Sequence, residues 1–407
     1  MKKKGFTLIE LLAVIVILAI IALIATPVIL GIINNVKDES NKRSIELYAE
    51  AVEQAIARRN LTEEFNPSTC IIVSEGLDCY EYEEKLKVDI DGEKTTGGTI
   101  YFENGSVKEE SYFIKGNKIS ILNDDNKITT EIIPEPESFK TDSWKTISLN
   151  VKAGNLSKYN VGDTREISLK GFTNEETDEN GNNIGTYTIR IANKTNTGDV
   201  CTKENLEKED GTKETYSKTA CGFVIEFEDI IKSHQMNPSG EYKGNQYDQG
   251  WNVDGYPASS MYTYIKNDIY NALPKDLRDV IIDTTVVSGY GYSDAPNKVS
   301  TDKLYLLSTR EVWGKERSDL IYPDTARELT RQLDYYKDYK NTDGSIGVTI
   351  SNYSGAIKKF SVNEYSWWLR TAGSGSTHSF HYVRYDGDWD SHYSSNFFGV
   401  AVAFRIG

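Results

Sequence analysis

The most regular pattern in the chain is a long apolar run near its beginning. No charged side chain occurs from Leu11 to Val36, and residues 11–25 contain only Leu, Ala, Val and Ile. As a helix, this run of about 26 residues would span roughly 39 Å, more than a hydrocarbon core of about 30 Å. The pattern predicts a helix able to cross a membrane, and Pro27 is consistent with a kink within it.

Beyond Val36 the pattern becomes amphipathic. Apolar residues recur at spacings of three and four, which is typical of one helical face: Ile45, Tyr48, Val52 and Ile56. The opposite face is charged and carries Lys42, Glu46, Glu50 and Glu53. The pattern therefore predicts that the helix continues to about Arg59 and packs its apolar face on a sheet.

After Asn60 the chain changes to short strands and turns. The candidate strands are residues 71–74, 87–90, 99–103, 107–114 and 118–122. Asn104-Gly105 is the strongest hairpin signal, because a type I′ turn needs positive φ at both central positions. The segment that contains Pro134 and Pro136 is polar and stiff, which predicts a linker and a domain boundary near residue 140.

Residues 140–407 differ in amino-acid composition from the residues before them. Eighteen of the 26 Tyr lie between Tyr242 and Tyr393, and five of the six Trp lie at or beyond Trp251, which indicates a separate fold. Strands are predicted at residues 186–191, 222–227, 303–308 and 398–406. Helical spacing connects Tyr262, Ile265, Ile269 and Leu273. The predicted core includes Trp367, Leu369, Val383 and Phe404, whereas Tyr385 and Trp389 are expected to be more exposed.

Charge divides the chain in the same way. The net charge is −15, but residues 1–33 carry +2 and the remainder carries −17. An acidic body repels a phosphate backbone, so no nucleic-acid partner is expected. A glycan, a protein or a cationic surface is the preferred ligand. Lys2, Lys3 and Lys4 precede the apolar run, so the positive-inside rule places the N-terminus in the cytoplasm and the body outside.

Glu10 is discordant, because a carboxylate in the middle of a bilayer costs about 2.5 kcal/mol or more and demands a partner. The segment from Lys3 through Gly5, Phe6 and Glu10 to Leu12 closely resembles the prepilin signature of type IV pilins and secretion-system pseudopilins. The resemblance implies that a prepilin peptidase cuts between Gly5 and Phe6 and that the new Phe6 amine is N-methylated. It also implies that Glu10 neutralises the N-terminal amine of a neighbouring subunit during assembly.

The resemblance, the linker near residue 140 and the change in composition beyond it together predict the domain organisation. Residues 1–5 would be the leader, 6–36 the transmembrane and filament-core helix, 37–139 the pilin head, and 140–407 a C-terminal recognition domain. Such a protein would reside in the cytoplasmic membrane before assembly and then in an extracellular filament. Its partners would be other pilin subunits and the prepilin peptidase with its N-methyltransferase activity.

The four cysteines fall into two pairs along the chain. Outside the membrane, Cys70 and Cys79 are expected to close a small disulfide loop, and Cys201 and Cys221 to form a second disulfide. A zinc site is less favoured, because no His occurs before His234 and no Cys-x-x-Cys pair is present. Free thiols stay open as an alternative for an anaerobic host.

The C-terminal region carries a second resemblance. The order of Trp251-Asn, Ser366-Trp-Trp-Leu-Arg, Val383-Arg-Tyr-Asp-Gly and Gly399-Val-Ala-Val-Ala-Phe resembles an uncharacterised domain family of Gram-positive surface proteins. Its closing pattern is also similar to the C-type-lectin-like fold of formylglycine-generating enzymes. Those enzymes work through cysteines near the end of the domain, and no Cys follows Cys221. No catalytic residue and no cofactor are therefore expected.

One polar cluster remains as candidate chemistry. His378, His381 and His392 occur with three aspartates in a segment that resembles the start of a calcium loop without its later ligands. An exposed turn is the favoured interpretation and no metal is expected. The same turn supplies a candidate ligand surface, which consists of Tyr385, Asp386, Asp388, Trp389 and Asp390.

The predicted fold class is α+β: a long pilin helix with an antiparallel-sheet head, followed by a separate mixed α+β, C-type-lectin-like domain. The leading hypothesis is a minor type IV pilin of a Gram-positive cell that displays an adhesion domain. The alternatives are a pseudopilin of a secretion or DNA-uptake machine, a membrane-anchored surface enzyme, and an anchored ectodomain that never polymerises.

Overall fold

A computed structural model describes residues 8–73, 76–79, 82, 85–88, 95–123, 127–172, 185–194, 215–292, 296–314 and 324–407. The chain divides into two compact units, here called unit 1 (Met1–Ile133) and unit 2 (Pro134–Gly407). The division lies at the first proline of the predicted linker, a few residues before the boundary expected near residue 140. The fold is mixed α+β, as predicted.

Unit 1 begins with one long helix, α1, which spans Leu8–Arg59 and contains Pro27. The predicted apolar face of its second half is buried: Ile45, Tyr48, Val52 and Ile56 are each at most 6% exposed. This face packs against apolar residues of the sheet, among them Ile72, Ile100 and Phe113. One residue of the predicted charged face also contacts the sheet, because the Glu53 carboxylate accepts the Val107 N–H at 2.8 Å.

The sheet of unit 1 is antiparallel in every pairing. Its strands are β1 (Thr69–Val73), β2 (Gly76–Cys79), β3 (Gly97–Glu103), β4 (Ser106–Val107), β5 (Tyr112–Lys115), β6 (Lys118–Leu122) and β7 (Ile128–Ile132). The order is β2-β1-β3-β5-β6-β7, and β4 pairs with β3. Cys70 and Cys79 face each other across the β1–β2 pair and form a disulfide. They therefore close the small loop that the sequence predicts, and this loop is a β-hairpin.

Turn residues explain where the strand predictions succeed and fail. Asn104 and Gly105 both have positive φ, at 53° and 81°, and connect β3 to β4 as a type I′ turn predicts. The predicted strand 107–114 is interrupted, because Glu110 adopts a φ of 67° between β4 and β5. The predicted strand 87–90 is wrong in its described part, where Lys87 and Val88 lie outside any strand.

Unit 2 contains short helices and two larger sheets. The helices are α2 (Trp144–Ala153), α3 (Ser260–Tyr264), α4 (Tyr270–Ala272), α5 (Lys275–Arg278), α6 (Thr309–Trp313), α7 (Asp324–Arg327) and α8 (Asp334–Lys337). A π-helical segment, Ile265–Ile269, joins α3 to α4, so the predicted helical repeat is continuous. Ile265, Ile269 and Leu273 are buried, in agreement with that repeat.

The first larger sheet has the order β14-β24-β10-β9-β8, and β17 also pairs with β24. Its strands are β8 (Thr164–Ser168), β9 (Thr186–Lys194), β10 (Phe223–Phe227), β14 (Ile281–Ile282), β17 (Tyr305–Leu306) and β24 (Val402–Ile406). The second has the order β11-β23-β20-β21-β22. Its strands are β11 (Lys232–Gln235), β20 (Trp367–Ala372), β21 (Ser379–Val383), β22 (Trp389–Tyr393) and β23 (Phe397–Val400). Three two-stranded ribbons are β12 (Gly240–Tyr242) with β13 (Asn245–Tyr247), β15 (Thr284–Ser288) with β16 (Lys298–Asp302), and β18 (Lys358–Phe360) with β19 (Asn363–Tyr365).

The predicted strand 398–406 is two strands rather than one. β23 belongs to the second sheet and β24 to the first, and only Ala401 separates them. One apolar cluster is shared by both sheets, and the predicted core residues Trp367, Leu369, Val383 and Phe404 are 0% exposed within it.

Candidate functional site

The first half of α1 is not covered by any other described part of the chain. Leu11–Ile33 has a mean hydropathy of 3.1 over 23 residues, and none of it is buried. At about 1.5 Å per residue this segment is roughly 35 Å long, enough to cross a hydrocarbon core of about 30 Å. Ile15 is 54% exposed and Leu23 is 78% exposed, whereas Val52 in the same helix is 0% exposed. The apolar half therefore requires a cover that the described part of the chain does not supply.

The processing residues adjoin this segment. Gly5 and Phe6 lie outside the described residues, and Glu10 occupies the first turn of α1, immediately before the apolar segment. Because Glu10 and Leu11 are adjacent in sequence, no polar residue separates Glu10 from the apolar segment.

The candidate ligand surface lies on the β21–β22 hairpin of unit 2. Tyr385 is 55% exposed at its tip, as expected. Asp386 forms an ion pair with Arg384 at 3.1 Å. Trp389 is only half-buried rather than exposed, because its ring lies 5.8 Å from that of His381 and packs against the core. The surface that faces solvent is therefore narrower than the sequence predicted.

The polar residues of the hairpin do not converge. His381 pairs with Ser391 across the two strands, and His392 pairs with Phe380, so the two imidazoles lie on opposite faces of the sheet. His381 is buried and contacts the Asp324 carboxylate at 2.9 Å. Among the described residues, no group of three or more His, Cys, Asp or Glu side chains is arranged to hold a metal ion.

The hairpin aspartates instead accept hydrogen bonds from backbone N–H groups of the same hairpin. The Asp388 carboxylate accepts the Trp389 N–H at 2.9 Å, and the Asp390 carboxylate accepts the Ser391 N–H at 2.7 Å. Asp390 also accepts the Tyr382 hydroxyl at 3.4 Å. These carboxylates have partners within the chain, and Tyr385 is the member of the predicted surface whose side chain is most exposed.

Sequence reasoning missed a buried ionic centre around Arg370, the arginine of the Trp-Trp-Leu-Arg motif. Arg370 is 0% exposed, and its two terminal nitrogens donate to the Glu311 carboxylate at 2.6 and 2.7 Å. Its Nε lies 3.3 Å from an oxygen of Glu328, which is also 0% exposed. Neither Glu328 oxygen has a hydrogen bond in the described structure. Burial raises the pKa of Glu328 to about 7, although Arg370 opposes the rise.

A second ionic centre lies within the first larger sheet. Glu226 on β10 contacts Arg190 on β9 at 2.8 Å and Lys358 on β18 at 2.9 Å, and it accepts the Tyr336 hydroxyl at 2.7 Å. Burial alone would raise the pKa of Glu226, but Arg190 and Lys358 hold it below its usual range. Burial lowers the pKa of Lys358 to about 8. Because every charge is paired, this centre fixes the sheet and exposes no reactive group.

A third feature absent from the sequence prediction is an aromatic stack beside the β12–β13 ribbon. The Tyr242 and Trp251 rings stack with centroids 4.9 Å apart and nearly parallel planes. Asp254 contacts Lys243 at 2.5 Å, accepts the Tyr242 hydroxyl at 2.9 Å and contacts Lys298 at 3.2 Å. Despite partial burial, these partners lower the pKa of Asp254 to about 2. Both rings are half-buried, so their main contribution is to hold the ribbon on unit 2.

The cysteines complete the predicted set of site residues. The Cys70–Cys79 disulfide is present and both residues are 0% exposed. Cys221 is also disulfide-bonded, whereas Cys201 lies outside the described residues.

Comparisons with known proteins bear on the two ends of the chain. Residues 1–26 match the family described as Prokaryotic N-terminal methylation motif. Residues 225–407 match the family described as Domain of unknown function (DUF6273). Searches of the curated proteins and of the solved structures find no match. The C-type-lectin-like fold therefore stays a prediction.

The N-terminal match, together with the uncovered apolar helix, supports a type IV pilin-like or pseudopilin subunit. The motif implies processing by a prepilin peptidase and assembly with other pilins. It is consistent with membrane anchoring before assembly into a surface filament.

Proposed function

We propose that the protein is a minor subunit of a type IV pilus on a Gram-positive cell and that unit 2 is its recognition domain. The observation that carries the proposal is the contrast within α1. Its second half is covered by the sheet of unit 1, whereas Leu11–Ile33 is uncovered over its whole length. Lipid covers such a surface before assembly, and the equivalent helices of neighbouring subunits cover it in a filament.

The size of unit 2 favours a minor position. Unit 2 comprises Pro134–Gly407, twice the length of unit 1. A domain of this size on every shaft subunit would crowd the helical packing of a filament. At the tip, or at sparse positions, it would be accommodated.

We propose further that unit 2 acts by binding rather than by catalysis. The two most deeply buried ionic centres use their charges to pair Arg370 with Glu311 and Glu226 with Arg190 and Lys358. The exposed Tyr385 is the favoured contact residue, since an aromatic side chain with a polar tip is a common anchor for glycans and proteins. The acidic body favours a glycan, a protein or a cationic surface over a nucleic acid.

Processing and assembly are tested in the cell. Replacing Gly5 should block cleavage, and Glu10→Ala should leave cleavage intact but deplete the subunit from sheared filaments. Glu46→Ala is the matched control, because Glu46 lies on the same helix and is exposed. Unchanged cleavage in the Gly5 variant, together with normal incorporation of Glu10→Ala, would refute the pilin hypothesis. Absence of the wild-type subunit from sheared surface filaments would favour a pseudopilin.

Recognition is tested with intact filaments on arrays of glycans and matrix proteins. Tyr385→Ala should lower binding, whereas Tyr292→Ala should not. The two tyrosines are a matched pair, because each is 55% exposed. Equal binding by both variants would remove Tyr385 from the ligand surface.

A further inference from the structure

The edge of the second sheet in unit 2 has an unusual arrangement of backbone donors. Among the described strands, β22 pairs with β21 on one side and with no strand on the other. The Arg384 N–H donates to the Asp388 carbonyl at 2.7 Å before the strand, and the Ser394 N–H donates to the His378 carbonyl at 2.8 Å after it. In an antiparallel pair the hydrogen-bonded residues alternate, so Asp390 and His392 face β21. The outward N–H groups belong to Trp389, Ser391 and Tyr393.

Each outward donor is already occupied by the side chain of the preceding residue. Asp388 accepts from Trp389 at 2.9 Å, and Asp390 accepts from Ser391 at 2.7 Å. The third acceptor is the Nδ1 atom of His392, which accepts the Tyr393 N–H at 2.9 Å. The Tyr393 carbonyl is also occupied, since it accepts the Asn396 N–H at 3.0 Å. The outward N–H groups of β22 are therefore not available to a strand that approaches this edge.

The sequence of β22 is self-complementary. If a second copy pairs antiparallel with the outward groups, Ser391 lies at the two-fold axis. Trp389 then lies opposite Tyr393 of the other copy, and Asp390 lies opposite His392. Aromatic pairs and pairs of opposite polarity are the cross-strand pairs that stabilise sheets. An exposed edge of this kind is a pairing site unless it is blocked.

We propose that β22 is a self-complementary pairing edge for a second copy of this chain and that the side chains of Asp388, Asp390 and His392 keep it closed. The three caps occupy the donors that the second β22 would use. Copies that share a membrane can meet by diffusion, and a closed edge would prevent their second sheets from pairing. This inference holds whether or not unit 2 is a recognition domain, because it depends only on the edge.

Cap function is distinguished from charge repulsion by two sets of variants in the full-length protein in detergent. The opened variant carries Asp388→Ala, Asp390→Ala and His392→Ala. The acceptor-retaining variant carries Asp388→Asn, Asp390→Asn and His392→Asn, which remove the two carboxylate charges but keep an oxygen close to each capping atom. Ser391→Cys is added to each variant and to the capped chain. Cross-strand Cβ atoms at the axis would be about 5 Å apart, and a small local shift brings them within the range of about 3.5–4.5 Å that a disulfide needs.

Mild oxidation should give an interchain disulfide in the opened variant at a yield at least about tenfold above the capped chain, since each freed donor gains a backbone partner. The acceptor-retaining variant should resemble the capped chain. Asn245→Cys, at the exposed first residue of β13, controls for random collision in the same backgrounds. Equal yields in the opened and capped chains would overturn the proposal, and so would equal yields in the opened and acceptor-retaining variants.

A folding defect in the opened variant would be detected by its thermal unfolding midpoint. In that case Asp390→Ala is compared with Asp390→Asn. The Ala variant frees only the central donor, the Ser391 N–H, and the Asn variant keeps its acceptor. A higher disulfide yield for Asp390→Ala than for Asp390→Asn supports the cap, and equal yields refute it.

Discussion

Glu328 offers the sharpest test of the energetics of unit 2. It is 0% exposed, its oxygens have no hydrogen bond in the described structure, and its nearest cation is the Nε of Arg370 at 3.3 Å. Burial raises its pKa to about 7 from an ordinary value of 4.5. The positive charge of Arg370 opposes the rise, whereas the negative charges of Glu311 and Asp324 add to it. Glu328→Gln keeps the shape of the side chain and removes its titration.

Proton linkage determines whether the stability of the folded chain rises or falls with pH. The folded chain binds the Glu328 proton more tightly than the unfolded chain, so the stabilisation is complete below pH 4.5 and is lost as the pH rises through 7. At about 1.4 kcal/mol for each pH unit, the ionised carboxylate costs the folded state about 3 kcal/mol by pH 8. Glu328→Gln avoids that cost. We expect the variant to be about 2–3 kcal/mol more stable than the wild type at pH 8 and more stable by about 1 kcal/mol or less at pH 5.

The assay is denaturant unfolding of the full chain in detergent at pH 5 and pH 8. Tryptophan fluorescence reports on unit 2, which contains all six Trp. Glu311→Gln is the control, because its carboxylate receives both terminal nitrogens of Arg370. Its loss leaves a buried cation uncompensated and should cost about 3–5 kcal/mol at either pH. A destabilising effect of Glu328→Gln at pH 8 would mean that the ionised pair with Arg370 outweighs burial, and the reasoning would be wrong.

Three further predictions concern unit 1 and use unfolding midpoints of the full chain. Ile56→Ala should cost about 2–4 kcal/mol because Ile56 is 1% exposed, whereas Leu47→Ala, at a 49% exposed position of the same helix, should cost less than about 0.5 kcal/mol; equal losses would contradict the packing of α1 on the sheet. Replacing Cys70 and Cys79 by Ser should cost about 2–3 kcal/mol, and reductant should abolish the difference from the wild type; a difference that survives reduction would implicate packing. Gly105→Ala should cost about 1 kcal/mol through its φ of 81°, since a Cβ there meets open space; an unchanged midpoint would argue against the type I′ turn.

The elements that the sequence predicted best are those whose signal is local. The buried apolar face of α1 could be predicted from the sequence, because helical periodicity places Ile45 and Val52 on one side of the helix whatever they contact. The turn at Asn104-Gly105 could also be predicted, because few residue types readily adopt the positive φ that a type I′ turn requires. Strand β2, Gly76–Cys79, alternates in burial but is only four residues long, and the sequence analysis missed it; its pairing depends on β1 across the Cys70–Cys79 disulfide.

The candidate sites show the same division. The exposure of Tyr385 follows from its place at a turn, and it was predicted correctly. The ion pair of Arg370 with Glu311 joins residues 59 positions apart, and no local pattern marks either one as buried. The aspartates of β22 were visible in the sequence, but the direction of their hydrogen bonds depends on which strand lies at the edge.

The position of β24 has a consequence for biosynthesis. Val402–Ile406 forms the ladder between β10 on one side and β14 with β17 on the other, so the first larger sheet of unit 2 has a gap until these residues arrive. Unit 1 is complete in sequence by Ile133 and can fold while unit 2 is still being made. Unit 2 cannot complete this sheet until β24 has been synthesised. Folding is therefore ordered, because unit 1 can form first and the first larger sheet of unit 2 closes last around β24.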